Sequence, residues 1–509
     1  MFSSKMNYSQ ILSEFDLTPQ SIALYLIIQC VLLITIKLTY NIYFHPLASY
    51  PGPLYLVASD IPLSVLSLLG TSQYRLKAAH DKFGEIVRVA PGTLSYIKPQ
   101  AWTDIYGYKK NGGGRANLPK DPQFYNEMML GKETITLASD EDAIPIRRSL
   151  NSAFSHRSLL EQEPMMQEHV NQLMAQFEKH SAKKRPIDVR EWFTFSMFDI
   201  NSDFGFGEDM GCVKSGVYHD WVKFVIDYFY VATLLHQCHK FWPLNYLLSL
   251  CIPPSMRKMQ ANHNKASLKR VRKRMAMVTD RHDFMHYFLK QARKEQLSTK
   301  TIEAQATVVI LAGSETSSVA ETAVVYHLLT HPDIYMKLQE EIRTTFKNSE
   351  DIKLQDVLHK LPYLDAVVQE TLRIHAPLAN GFTRYVSEKN GAMICGKCVP
   401  QGTVVTINHY CSNTSASNFR DPMEFIPERW MGDARYANDK RDVVQPFSVG
   451  PRNCPGQQFA LYNIKLALTH LLWRFDLKLG EGTENWAMGQ RIYNGWIQPA
   501  LPVLMEKRS

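Results

Sequence analysis

From Leu17 to Ile36 the chain carries no charge, and Asp16 and Lys37 bracket the stretch. From Ile22 onward only Gln29 and Thr35 break an apolar run through Leu24, Leu26, Ile27, Ile28, Val31, Leu32, Leu33 and Ile34. A helix that crosses a bilayer needs about 20 such residues. The pattern predicts a membrane-spanning helix over residues 17–40, preceded by a tail, residues 1–16. A cleaved signal peptide begins basic and ends at small residues. Here Glu14 and Asp16 precede the run, and Tyr40, Tyr43 and Phe44 follow it. Lys5 and Lys37 lie one on each side, so the positive charges do not set an orientation. His45-Pro46-Leu47 and Pro51-Gly52-Pro53 come next. Proline fixes φ and removes a donor, so residues 41–55 are predicted as a stiff hinge. Val225 to Leu235 is also apolar, but Asp227 interrupts it and it is too short to span.

Beyond the hinge the periodicity changes. Ile86 to Val89 and Leu94 to Ile97 flank Pro91-Gly92 and read as a strand pair. Leu150 to Phe177, Thr301 to Leu329, Ile334 to Phe346 and Leu361 to Ile374 carry apolar residues at helical spacing. Short apolar runs from Ala392 to Ile407, punctuated by Gly396 and Gly402 after Gly391, read as a second β-rich patch. The prediction is a mainly α fold with small β-sheets, of the α+β class.

Composition narrows this little. The chain has 509 residues, 45% hydrophobic and 21% charged, which excludes collagen-like, wholly disordered and multi-span classes. Length alone suggests about three or four domains. The net charge of +8 is mildly basic and does not require nucleic acid. Eight cysteines in so long a chain are not a disulfide scaffold. Cys395-Gly396-Lys397-Cys398 has no second pair at zinc-finger spacing, so a β-turn is expected there. The basic run Lys265 to Arg274 is expected to be a solvated face, with nucleic acid or anionic lipid as rival partners. Asn7 and Asn413 match the N-glycosylation acceptor pattern; only Asn7 is placed to face a lumen.

One cysteine stands apart. Cys454 lies in Phe447-Ser448-Val449-Gly450-Pro451-Arg452-Asn453-Cys454-Pro455-Gly456, and a helical pattern (Phe459, Ile464, Leu471) follows at once. A helix N-terminus favours an anion, and Arg452 adds positive charge, so both push the thiol toward the thiolate that binds metal. Gly450 and Gly456 let backbone approach something large and flat. An ordinary buried cysteine in a structural loop is the alternative.

This string resembles the haem-binding loop of the cytochrome P-450 family. The resemblance implies that Cys454 is the axial thiolate of haem b, that Phe447 packs on the haem and that Arg452 reaches a propionate. A thiolate ligand favours O–O cleavage. Ala312-Gly313-Ser314-Glu315-Thr316 is similar to the family's oxygen-binding segment. A helical Thr can bond the carbonyl four residues back. Thr316 is therefore expected to bond Ala312, with Gly313 opening a notch for dioxygen on the same face and Glu315 relaying protons. Glu370-Thr371-Leu372-Arg373 and Pro427-Glu428-Arg429-Trp430 resemble the family's buried cluster, here Glu370, Arg373 and Arg429, which supports the loop approaching Cys454. Arg147 and Arg384 are nominated for the propionates. Ala143 stands where the family has Trp or His, and Pro145 interrupts the segment, so one propionate contact is expected to be missing or supplied elsewhere. Ala312, Ala379, Asn380, Phe382 and Trp496 are nominated as substrate contacts.

The resemblance runs from the anchor to about residue 505 and is to fungal microsomal members. It implies monooxygenation of a small apolar terpenoid or polyketide intermediate, by hydroxylation, desaturation or epoxidation. No flavin or nicotinamide fingerprint follows Cys454, so electrons would come from NADPH through a separate reductase, with cytochrome b5 as a second donor. The implied location is the endoplasmic reticulum membrane, single-pass, with the body in the cytosol. Motifs spread from Arg147 to Cys454 must meet one haem, so residues 56–509 are expected to be one catalytic domain. The rivals are a haem-thiolate isomerase or dehydratase, which the presence of Thr316 disfavours, and a membrane-anchored binding protein without haem.

Overall fold

Helix accounts for 58% of the computed structural model. The structure describes residues 18–108, 117–125, 133–219, 233–238, 240–241, 254–493 and 495–508. Asn7, the tail and most of Val225 to Leu235 lie outside the described residues.

Helix α1, Pro19–Thr39, starts at Thr18, whose hydroxyl accepts from the Ser21 N–H at 3.2 Å. None of its residues is buried, and Leu24 to Ile36 expose their apolar side chains to the outside. A π-turn over Tyr40–Phe44 prolongs it four residues past the expected end at Tyr40, because no breaker precedes Pro46. A second helix, Thr299–Thr330, is also long and apolar enough to cross a membrane, but it is longer and less apolar than α1 and most of its apolar stretch is buried inside the protein, so it is a core helix.

The predicted helix over 150–177 is three helices. The first, α2 (Asp140–Ala153), ends before Ser155, which caps the six-residue helix His156–Glu161 by accepting from Ser158 N–H. Pro164 then sits in the first turn of Glu163–Ser181. Caps and a first-turn proline divided a run whose apolar spacing looked continuous. Conversely, Pro145 does not interrupt α2. It lies early in the helix and removes one backbone donor there.

Four further helices build the frame: α3 (Val189–Phe206), α4 (Thr299–Thr330), α5 (Pro362–Ile374) and α6 (Gln457–Arg474). Helix α4 runs through the core and packs on α3, α5 and α6. Phe193, Phe198, Ile310, Val325, Leu364 and Leu468 are all at most 1% exposed there. Full burial of such a side chain contributes about 1.5–3 kcal/mol.

Strands β1 (Ile86–Ala90), β2 (Thr93–Tyr96), β3 (Arg384–Tyr385) and β4 (Val404–Ile407) form one sheet in the order β1-β2-β4-β3. β1 and β2 pair antiparallel with Ile86 opposite Tyr96. β2 and β4 pair in parallel with Leu94 opposite Val405, joining the two β-rich patches across some 300 residues of mostly helical chain. β3 lies antiparallel to β4, and Lys120 bridges to Arg384 at its edge. The Cys395–Cys398 segment is a hairpin turn: Cys395 and Gly396 have φ of 51° and 77°, as a primed turn requires.

The basic run falls on the helix Pro254–Ala276 and is largely spent in ion pairs. Arg270 and Lys273 hold Glu208, Arg272 holds Glu303, and Arg274 holds Asp283 at 2.7 Å with 4% exposure. Asn413 is fully buried and donates to the Arg373 carbonyl, so it is no glycosylation acceptor.

Candidate functional site

The loop before α6 turns back on itself. The Cys454 N–H donates to the Phe447 carbonyl at 2.8 Å, and Ser448 and Gly450 take φ of 60° and 76°. A Cβ on Gly450 would lie 2.0 Å from the Tyr106 carbonyl oxygen, so only glycine fits. Beside the sulfur, Gly456 keeps room: its hypothetical Cβ meets only Sγ, at 3.9 Å. Cys454 has exposed surface although protein surrounds it, which places the thiol on an internal cavity.

The electrostatics at Cys454 differ from expectation. Burial pushes its thiol up, and the Gly456 N–H and the Arg147 guanidinium pull it back. The nearby cation is Arg147, not Arg452. Arg147 donates to the Asn453 carbonyl at 2.7 Å and also to the Asn453 side-chain oxygen, clamping the residue before Cys454. Arg452 instead turns to Asp140 at 2.9 Å and to the Ala138 carbonyl at 2.6 Å. Burial lowers its affinity for its proton, as does the neighbouring Arg384, so these two arginines share one region. Arg384 reaches the Tyr125 hydroxyl at 3.1 Å and lies over the Tyr106 ring, while its Nε is buried without a partner. Ala143 is 4% exposed, packed in the core, and offers no donor.

Glu370, Arg373 and Arg429 meet with no exposed side-chain surface. Arg373 makes two bonds of 2.8 Å to Glu370 and donates to the carbonyls of Asn413, Pro422 and Glu424, which uses all five of its donors. Glu370 also accepts from the Ile426 N–H and from Trp430 Nε1, both at 2.9 Å. A fourth member was not anticipated. Asp439 accepts from Arg429 Nη1 at 2.6 Å and is itself 2% exposed. It makes the cluster two carboxylates and two guanidiniums, hence neutral.

On α4, Thr316 Oγ1 donates to the Ala312 carbonyl at 2.7 Å, as the spacing predicts. Ala312 is exposed although most of α4 is buried, so this face lines an internal space. Gly313 does not open a notch there. A Cβ on it would lie 2.6 Å from Asn201 Oδ1, so the amide of α3 fills the place of a side chain. Glu315 Oε2 is buried without a partner, and burial pushes its carboxyl up to about 7, opposed by Arg190.

The nominated substrate contacts divide. Ala312, Asn380 and Phe382 keep accessible surface. Asn380 accepts from Asn408 Nδ2 at 3.4 Å, and Phe382 lies edge-on to the His409 ring. Ala379 and Trp496 are 1% and 3% exposed and pack with Val319 and Ile492; Trp496 Nε1 donates to the Ala376 carbonyl at 2.7 Å. These two are packing residues rather than pocket wall.

Comparison with known proteins decides the family. The sequence model of the family described as Cytochrome P-450 matches residues 62–502. The chain belongs to the cytochrome P-450 family. It is 41% identical to the cytochrome P-450 monooxygenase astD of Aspergillus oryzae over 92% of this chain and 90% of that protein. It is 38% identical to the monooxygenase astA of Talaromyces wortmannii, over 92% of this chain and 94% of that one. The trichothecene C-15 hydroxylase of Fusarium sporotrichioides is 34% identical over 93% and 96%. The protein is thus a cytochrome P-450 monooxygenase, an oxidoreductase that uses haem b, dioxygen and NADPH-derived electrons delivered through a reductase.

The residues present fit haem. A cysteine sulfur faces a cavity, Gly456 leaves room beside it, and the buried Arg384 Nε stands without a partner. Sequence reasoning missed Asp439, Trp430 Nε1 and Asn201. Trp430 had a signal as the neighbour of Arg429, and the excess positive charge of Glu370, Arg373 and Arg429 implied a further anion; Asn201 had none.

Proposed function

We propose that this cytochrome P-450 oxidises a small apolar intermediate of fungal secondary metabolism, a terpenoid or polyketide, by hydroxylation, desaturation or epoxidation. The observation that carries the reading is the exposed Ala312, with the half-buried Thr316 one turn on, inside a largely buried helix. It offers a substrate a methyl wall beside a single hydroxyl. The likeness to a trichothecene hydroxylase supports a terpenoid.

Cys454 holds the haem iron. Arg147 and Asn453 fix the loop that carries it, and the neutral cluster of Glu370, Arg373, Arg429 and Asp439 fixes the segment leading to that loop. When bound, haem supplies dioxygen activation and the oxidising power. Thr316 and Glu315 handle protons: Glu315, held neutral up to about 7, stores one next to Thr316 at neutral pH. Ala312, Asn380 and Phe382 contact substrate. Residues 56–509 act as one catalytic domain on the cytosolic face of the endoplasmic reticulum, anchored by α1 and reduced by an NADPH-dependent reductase, with cytochrome b5 as a second donor.

The test is the product profile of the full-length chain with reductase, fed terpenoid and polyketide intermediates. Oxygen- and NADPH-dependent oxidation of one class is expected; turnover in samples without dioxygen or without NADPH would overturn the reading. Cys454→Ala is expected to abolish the thiolate-haem Soret band of the reduced, carbon-monoxide-treated protein. A persistent band would place the ligand elsewhere.

A further inference from the structure

Three cations share one region, in which Lys120 is half-buried and the side chains of Arg384 and Arg452 are buried. Arg384 is 3% exposed, and its Nε has no partner. The Arg452 side chain is 7% exposed. Lys120 bridges to Arg384 through the backbone at the edge of β3. Its ammonium donates to the carbonyls of Ile135, at 3.3 Å, and Thr136, which leaves one of its three donors unused. The Tyr125 ring lies 5.1 Å from Nζ, and Arg384 stands over the same ring.

The charges do not balance. Asp140 is the acid that acts on Lys120 and Arg452, and it is half exposed. Asp121, the next residue, is opposed by Lys240. Three cations against one carboxylate leave two positive charges in a place where unpaired charge is costly. Haem b carries two propionates. The resemblance of the chain to its family left one propionate contact unfilled at Ala143, and Ala143 is buried in the apolar core.

We propose that Lys120 is a haem-propionate ligand in this chain, completing with Arg384 and Arg452 a cradle that takes both carboxylates. The proposal rests on the reading of Cys454 as the haem ligand. Two carboxylates supply the charge that the region lacks and an acceptor for Arg384 Nε. Burial and the two arginines push Lys120 down to about 7, and anions at this place reverse that push.

The test compares haem b with its dimethyl ester, whose propionates are capped. Full-length wild type, Lys120→Met and Lys120→Arg are loaded with each, and haem release to an apomyoglobin trap is timed. One charge-assisted hydrogen bond is worth about ten- to hundredfold in such a rate. Lys120→Met is expected to release haem b about tenfold faster or more, to release the ester at the wild-type rate, and to be rescued by Lys120→Arg. Equal acceleration for both haems marks a structural effect and overturns the proposal, as does an unchanged rate for haem b. If Lys120→Met does not fold, wild type against Lys120→Gln with the same two haems gives the same decision. The carbon-monoxide Soret band is read on each sample. Its absence from wild type refutes Cys454 as ligand, whereas loss of the haem b-to-ester contrast alone refutes Lys120.

Discussion

Gly313→Ala separates two accounts of the oxygen-segment glycine. If the glycine opens a space for dioxygen, an added methyl group should disturb turnover. If it is a helix-packing position, the methyl group should disturb stability. The structure favours packing, since the new Cβ would lie 2.6 Å from Asn201 Oδ1 and 3.2 Å from Cγ. Asn201 has little freedom to move aside. It is 2% exposed, and its Nδ2 donates at 2.7 Å to the Met197 carbonyl, which also accepts from Ser314 Oγ at 3.2 Å. Forcing a methyl into such a site costs about 1–3 kcal/mol. Replacing a mid-helix glycine by alanine returns about 1 kcal/mol. The net expectation is a loss of roughly 0–2 kcal/mol. Asn201→Ala loses its buried hydrogen bond, about 1 kcal/mol or more. The double variant has no clash, so it should be more stable than the sum of the singles by about 1–3 kcal/mol. Urea unfolding of the four proteins in one detergent measures that coupling, and NADPH consumed per product formed should be unchanged in Gly313→Ala. A variant as stable as wild type that wastes NADPH would refute the packing account.

Glu315→Gln tests the raised carboxyl. The folded chain keeps this proton up to about 7, whereas an unfolded chain releases it near 4.5. Stability from this group is therefore full below 4.5 and is lost as pH rises toward 7. Glu315→Gln should match wild type at pH 4 and exceed it by up to roughly 3 kcal/mol at pH 8 in unfolding free energy, and equal stability at both would refute the burial argument. Asp439→Ala leaves Arg429 without its second carboxylate and the cluster with a net charge. It should cost about 3–5 kcal/mol by urea unfolding, and a loss under about 1 kcal/mol would remove Asp439 from the cluster. Thr316→Ala should consume NADPH with little product, measured as NADPH oxidised against product formed; normal coupling would take Thr316 off the proton path.

Features written in local sequence were legible. A charge-free run predicts α1, and i, i+3 spacing puts Glu370 and Arg373 on one helix face. The Thr316 bond to Ala312 follows from the four-residue spacing alone. Features set by chain crossings were not. Asn201 lies over a hundred residues before Gly313, and nothing near either residue announces that one fills the other's place. Arg147 and Arg452 are both arginines near motif residues, and only the fold shows which one faces Cys454. Asp439 sits among Asp433, Lys440, Arg441 and Asp442, a run that reads as surface.

Charge balance would have pointed to Asp439. Glu370, Arg373 and Arg429 alone carry one excess positive charge, and a fully buried site does not tolerate that cheaply. A missing anion was therefore implied, and the chain supplies it at 2.6 Å from Arg429. The same count at Lys120, Arg384 and Arg452 finds one anion, Asp140, half exposed and already paired with Arg452. The first cluster closes on itself, with Arg373 using every donor it has, which suits a scaffold. The second stays open by two charges and one buried Nε. Two buried arginine clusters of similar composition are thus told apart by what they lack: the balanced one holds the chain together, and the unbalanced one is built to receive an anion that the chain does not encode.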